Sequence, residues 1–278
     1  MTHPAIIMPS PSFIEVDGLR IRIMQSSAGP GLPIVLTAPW PESIYAFNSV
    51  WERMQAIGPV TAVDLPGFGQ SETRSDLMSP DAMGDFLIEV LDHLRMERAH
   101  FVAPDIGTLA TLYAASRKPE RFESIVGGSG GISLNLLGDP LKRIVGSTRD
   151  DFAALEGGEQ VYQLVKTMAR ATIPEGILED YRTSSQGQRW NEVADFVRAY
   201  QRDLPRLETL LPAITVPTLV ISGKHDPFVP PANGSFLAER MPHCRADIVD
   251  AGHFVWEEAS DIYASLIADW ITGEYRDV

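Results

Sequence analysis

The sequence predicts an α/β domain with a mostly parallel eight-stranded sheet flanked by helices and a helical cap inserted after the sixth strand. Three observations lead there. Short apolar runs of strand length recur through the first half, most of them followed by a segment with helical spacing. From about residue 132 to 209 that rhythm gives way to a helical pattern with no convincing strand. It resumes at Thr218. Strands alternating with helices pair in parallel and are covered on both faces. The expected division is a core of residues 1–131 and 210–278 with a cap of 132–209, lying over the C-terminal edge of the sheet where such folds bind ligands.

The elements follow in order. Ile14–Val16 and Leu19–Met24 flank Asp17-Gly18, a hairpin dipeptide. Pro33–Thr37 and Val60–Val63 have the continuous apolar character of buried strands. Between them, Phe47, Val50, Trp51 and Met54 predict a helix over Ala46–Ile57. A second helix spans Pro80–Leu94, with Ser79 as cap, Pro80 in its first turn, and Met83, Phe86, Leu87, Val90, Leu91 and Leu94 on one face. A strand at His100–Ala103, a helix from Gly107 to about Ser116 and a strand at Ser124–Gly128 complete the first half. The glycine-rich run 127–131 lacks dinucleotide spacing and predicts a flexible exit into the cap. After the cap come a strand at Thr218–Ser222, a helix near Asn233–Arg240, a strand at Ala246–Val249 and a helix from Asp261 to about Ile271.

Composition narrows the function. The 278 residues are 44% hydrophobic, enough for a sizeable core. Net charge is −14, and an acidic surface repels phosphate backbones and anionic lipids, so nucleic-acid and membrane partners are not expected. The single cysteine, Cys244, permits a reducing compartment. The first eleven residues carry no Lys or Arg and no long apolar stretch, and no run reaches the ~18 residues of a membrane span. A cytoplasmic protein is expected. A homodimer is compatible with the sequence, and no metal or cofactor site has ligand spacing.

The chemistry concentrates at three strand ends. In Phe101-Val102-Ala103-Pro104-Asp105-Ile106-Gly107-Thr108 a strand meets a helix of small residues through one polar side chain. This is the layout of a nucleophile elbow, with Asp105 where serine usually stands. Asp tolerates the left-handed backbone such a turn needs, and the helix N-terminus favours its ionised form. As a plain alternative, Asp105 merely caps its helix. Asp226 follows the strand at Thr218–Ser222, and His253 follows the last strand. Nucleophile, acid, histidine, in that order at strand ends, is an arrangement that Asx-turn and loop roles for Asp226 and His253 do not explain together. The other histidines, His3, His93, His100, His225 and His243, lack such a setting.

On these motifs, with Asp64-Leu65-Pro66-Gly67-Phe68-Gly69-Gln70-Ser71 and Trp40-Pro41-Glu42-Ser43, the chain resembles the α/β-hydrolase superfamily along nearly its whole length. Within it, the chain resembles the aspartate-nucleophile branch of epoxide hydrolases and haloalkane dehalogenases. The resemblance implies the α/β-hydrolase fold, Asp105 as nucleophile and Asp226 with His253 as water-activating pair. It also implies an oxyanion hole from the backbone of Trp40 and Ile106, with a cis Trp40–Pro41 peptide. The family's His-Gly pair is Ala38-Pro39 here, and its His before the nucleophile is Pro104.

A carboxylate suits attack on saturated carbon, giving an alkyl ester that water then hydrolyses; attack on an acyl group would give a mixed anhydride. Hydrolysis of an epoxide to a diol is the leading expectation, on a moderately apolar small molecule. Tyr200 is first choice as the ring-opening acid and Tyr181 second, while Tyr181, Trp190 and Phe254 are expected to touch substrate, with Phe196 as a further apolar cap residue. Haloalkane dehalogenation is the runner-up, weakened because Ile106 offers no halide donor. Fluoroacetate-type chemistry is disfavoured because the family's Arg after the nucleophile is absent. A ligand-binding protein without turnover is the alternative from another class.

Overall fold

The computed structural model describes residues 6–26, 29–273 and 275; His3 and the outermost residues of the expected core lie outside them. β1 (Ser12–Val16) and β2 (Leu19–Gln25) pair antiparallel, from Ser12↔Ile23 to Val16↔Leu19. Asp17 and Gly18 turn between them at φ 48° and 74°, the positive values that a two-residue hairpin needs. Then follow β3 (Ile34–Thr37), α1 (Trp51–Gln55), β4 (Val60–Val63), α2 (Pro80–His93), β5 (Ala99–Val102), α3 (Ile106–Arg117) and β6 (Phe122–Gly127). The stretch before the next strand is helical: α4 (Asp139–Val145), α5 (Gly157–Met168), α6 (Glu175–Ser184), α7 (Arg189–Val193), α8 (Asp195–Arg198) and α9 (Tyr200–Leu210). β7 (Thr218–Gly223), α10 (Ala232–Ala238), β8 (Cys244–Val249), α11 (Val255–Glu258) and α12 (Ser260–Thr272) complete the described elements.

The sheet order is β1-β2-β4-β3-β5-β6-β7-β8, antiparallel at the β1–β2 and β2–β4 pairs and parallel from β4 to β8. β3, β4 and β5 are buried at every residue, as apolar strands covered on both faces must be. From β3 the chain goes outward to β4 and then returns to β5 on the other side. That reversal opens a crevice at the C-terminal ends of β3 and β5, where open α/β sheets bind ligands. No described helix is long and apolar enough to cross a membrane.

Local chemistry explains the helices that set this crevice. Ser79 Oγ accepts from the Ala82 N–H at 3.2 Å, Pro80 stands in the first turn of α2, and Met83, Phe86, Leu87, Val90 and Leu91 are buried. The expected helix over Ala46–Ile57 is shorter. Ser43 Oγ takes the Tyr45 N–H and Asp64 Oδ1 takes that of Ile44, so the segment begins as a 3-10 turn, Ile44–Phe47. Phe47, Val50, Trp51 and Met54 are nonetheless all buried.

The run 127–131 is a correction. It is buried throughout and close-packed, with no sign of a flexible exit. Gly128 sits at φ 140°, and a methyl there would collide with the Ile221 carbonyl oxygen on β7. Ser129 Oγ donates to the His253 carbonyl at 3.2 Å, so the run packs the elbow against the histidine loop. Gly128→Ala is expected to cost on the order of 3 kcal/mol through strain and overpacking, read as a lower urea midpoint; a midpoint within error of wild type would contradict this packing.

Candidate active site

Asp105 occupies the bend between β5 and α3 at φ 53°, ψ −123°. Its backbone N–H donates to Gly128 O at 2.8 Å, and Thr108 Oγ1 donates to Ala103 O at 2.8 Å, bracing both sides of the bend. A side chain at Gly107 would strike Thr37, so only glycine lets α3 start this close to β3. The Asp105 carboxylate does not cap α3. It turns instead toward β3, where Oδ2 accepts the Trp40 N–H at 2.8 Å, and the Ile106 N–H at the start of α3 also favours its charged form. The Trp40–Pro41 peptide is cis. Asp105 Oδ1 lies 3.9 Å from His253 Nε2.

Behind the imidazole, His253 Nδ1 is 2.7 Å from Asp226 Oδ2. Asp226 Oδ1 accepts the N–H groups of Phe228 and Val229 at 2.8 and 2.9 Å, a turn that Pro227 helps to form. Both oxygens of Asp226 are therefore held, and the imidazole presents Nε2 to Asp105. Phe228, Phe254 and Trp256 pack around the ring, with centroids 5.1, 5.2 and 6.0 Å away.

Burial raises the Asp105 carboxyl to about 6, although His253 and the Trp40 and Ile106 N–H groups pull the other way. Burial alone would lower His253, but Asp226 and then Asp105 and Glu258 outweigh it and raise it to about 9. At neutral pH the resting state is thus a carboxylate beside an imidazolium. Neutralising Asp105 removes one of the charges that keep His253 protonated.

Residues 34–266 match the model of the alpha/beta hydrolase family. The chain belongs to that family.

It is an enzyme of the alpha/beta hydrolase class, with the fold that the strand order already shows. A pimeloyl-[acyl-carrier protein] methyl ester esterase from Neisseria meningitidis serogroup B is 27% identical, over 87% of this chain and 94% of its own. Among solved structures, the epoxide hydrolase CorEH superposes with a TM-score of 0.81 at 19% identity, covering 95% of this chain and 99% of its own. The haloalkane dehalogenase DbeA from Bradyrhizobium elkani USDA94 gives a TM-score of 0.81 at 19% identity, covering 95% and 98%. At such identities the two structures speak for the fold alone.

In this alpha/beta hydrolase the crevice closes into a cavity of about 60 Å³ against Asp105 and His253. That is space for a few water-sized groups. Trp40, Trp190, Phe228 and Phe254 supply aromatic walls, and Leu141, Ile144 and Leu164 come from the helices before β7. Trp40 and Trp190 stack at 5.2 Å. The sequence singled out Trp190 and Phe254 for this space but missed Phe228 and Val229, although they stand beside Asp226. Leu141, Ile144 and Leu164 carry no signal beyond helical spacing.

The tyrosines separate. The Tyr181 hydroxyl donates to Glu257 Oε1 at 2.8 Å, and Tyr181 does not line the cavity. Tyr200 is buried beside Gly131 and Leu137, off the cavity wall; no described residue bonds its hydroxyl, and burial and then the charge of Asp105 push its pKa well above the usual phenol value. Tyr162 donates to Glu175, away from the cavity. Phe196 does not line the cavity either; it packs edge-on against Phe68 and Tyr200. Among the described residues no cluster has a metal-binding set.

Asp105→Asn is expected to lower the pKa of His253 below about 9, because one of the anions supporting the imidazolium is gone. An NMR titration of the imidazole reads this directly. An unchanged value would contradict the electrostatic contact between them.

Proposed function

We propose that the enzyme hydrolyses a small, moderately apolar molecule at a saturated carbon through an ester on Asp105, opening an epoxide to a diol. The observation that carries this is a carboxylate at the elbow that does not cap its helix. One of its oxygens is held by the Trp40 N–H and the other faces His253. The Neisseria relative is by its name an esterase, but its substrate need not transfer at 27% identity. A carboxylate attacking an acyl carbon would form an anhydride, whereas at saturated carbon it forms an ester stable enough to wait for water. A small cavity with apolar walls supports a small uncharged substrate.

In the first step Asp105 Oδ1 bonds to a ring carbon and the ring C–O bond breaks. Tyr200 stands behind the cavity wall, beside Gly131 and the wall residue Leu141 and within electrostatic reach of Asp105. Its hydroxyl is unengaged and held protonated, and it is the proposed donor of a proton to the ring oxygen, reached directly or through one water. Tyr181 is less suited, since its proton already serves Glu257. Esterification removes the negative charge of Asp105, so His253 gives up its extra proton to solvent and becomes a base. It then deprotonates a water, which attacks Cγ of Asp105. The oxyanion on Oδ2 is held by the Trp40 and Ile106 N–H groups, each donor worth about 3 kcal/mol in such sites. Collapse expels the diol oxygen, which recovers the proton from His253; the Asp105 carboxyl left by the attack gives up its proton, and through solvent Tyr200 regains the one it donated and His253 the one it released.

A second reading has its own observation. Trp40 lines the cavity, and its indole Nε1 is buried with no hydrogen-bond partner. An unmet N–H beside the nucleophile supports stabilisation of a departing halide, which needs no proton. We also infer a cytoplasmic setting, for which the single half-buried Cys244 is suitable.

His253→Gln is expected to accumulate the ester when incubated with a short aliphatic epoxide, gaining the full mass of the epoxide. A haloalkane would add only its alkyl part, so protein mass separates the two readings. No adduct with either class would sink the ester route. Tyr200→Phe is expected to slow ester formation from epoxides by about 100-fold and from haloalkanes hardly at all, by rapid-quench assay; equal slowing would remove Tyr200 from the acid role. In wild type, ester formation is expected to fall about tenfold per pH unit below about 6, since only ionised Asp105 attacks and its pKa lies there. A flat rate down to pH 4 would contradict this.

A further inference from the structure

Beside the loop that carries Trp40 lies a cluster that the proposed reaction does not use. Glu42 from that loop is buried, and Glu257 from α11 is half-buried as a residue but has its outer oxygen sealed from solvent. Each carboxyl spends one oxygen on a neutral donor. The Trp256 indole N–H donates to Glu42 Oε2 at 2.9 Å, and the Tyr181 hydroxyl donates to Glu257 Oε1 at 2.8 Å. The remaining two, Glu42 Oε1 and Glu257 Oε2, receive no hydrogen bond from any N–H or O–H among the described residues. The two carboxyls are within hydrogen-bonding reach of each other.

Two carboxylates that face each other out of water, with no salt bridge to either among the described residues, do not both stay ionised. One proton placed between the two orphaned oxygens satisfies both. We propose that Glu42 and Glu257 share that proton as an acid–carboxylate pair, and that the pair is a positioning element that fixes the Trp40 N–H against Asp105. Burial and then the charge of Glu257 raise Glu42 well above the usual carboxyl range, and Asp105 adds to this. Glu258 acts on Glu257 in the same direction, and Asp180 stands next to Tyr181 in sequence and within electrostatic reach of it.

The chain of contacts runs from α6 through Tyr181, Glu257 and Glu42 to Trp256, whose ring packs on His253. A single proton therefore links the loop of the proposed oxyanion donor to the loop of the proposed base. On the other flank, Ser43 Oγ donates to Asp180 Oδ1 at 2.6 Å, and Arg22 bridges Asp180 and Asp64. The loop is clamped from both sides by consecutive residues of α6.

The shared proton stands independently of the reaction; the positioning role rests on the ester route through Asp105. Infrared spectra in D₂O at pH 8, where Asp105 is ionised, are expected to show the C=O stretch of a protonated carboxyl. Glu42→Gln and Glu257→Gln should each remove it, because the amide supplies the N–H that the remaining carboxylate needs. No such band in wild type, or one that persists in both variants, overturns the pairing.

Rapid-quench kinetics test the second half. Hydrolysis puts negative charge on the oxygen that Trp40 holds, whereas ester formation withdraws it. Glu257→Leu should therefore slow ester hydrolysis by about 100-fold, more than ester formation, and Glu257→Gln should recover most of the loss. Equal slowing of both steps, or no recovery with Gln, overturns the positioning role. If Glu257→Leu does not fold, hydrolysis slowed in Glu257→Gln as severely as about 100-fold does so. Absence of any ester in wild type overturns the ester route and the positioning role with it, while the infrared result stands apart.

Discussion

A buried carboxylate in a left-handed bend is the constraint around which the rest of this molecule is arranged. Asp105 is largely buried, and the protein compensates its lost solvation with the hydrogen bond from the Trp40 N–H, the nearby Ile106 N–H and an adjacent imidazolium. Each replacement comes from a different strand end. The Trp40 N–H follows β3, Ile106 begins α3 after β5, and His253 follows β8. The sheet order that sets β3 next to β5 is thus an electrostatic requirement of the site as much as a matter of packing. The glycines serve the same end, since Gly107 lets α3 approach β3 and Gly128 lets the elbow meet β7.

The same electrostatics give the proposed reaction its direction. While Asp105 is ionised it supports the proton on His253, so the imidazole is no base and water near the nucleophile is not activated. Once the charge of Asp105 is consumed in a bond, that support vanishes and the imidazole becomes competent for the next step. One distance of 3.9 Å, too long for a direct hydrogen bond and short enough for strong electrostatic contact, allows both states.

Much of this was legible in the sequence because it is encoded locally. Asp17-Gly18 specifies a hairpin, Ser79-Pro80 a helix start, and the apolar runs at 33–37 and 60–63 fully buried strands. Asp105, Asp226 and His253 stood out because each follows a strand, and the structure brings the three into one line. What the sequence hid is long-range. Tyr181 ranked behind Tyr200 as a candidate acid on sequence, and only the structure shows why it is unsuited: its hydroxyl meets Glu257, 76 positions away. The glycine run at 127–131 looked loose because glycine is flexible in isolation, yet here it is the only residue type thin enough for the contact with β7. The proposed pairing of Glu42 with Glu257 leaves no pattern at all, since it joins a loop to a helix through side chains.

The most direct measurement of the central claim is a single turnover in ¹⁸O-water with enzyme in excess, followed by mass analysis of the peptide that contains Asp105. If water attacks the ester at Cγ, the label enters the Asp105 carboxylate and the first product molecule is unlabelled. Label in the product, with none in Asp105, would mean that water attacks the substrate directly, and the carboxylate would lose its place as nucleophile.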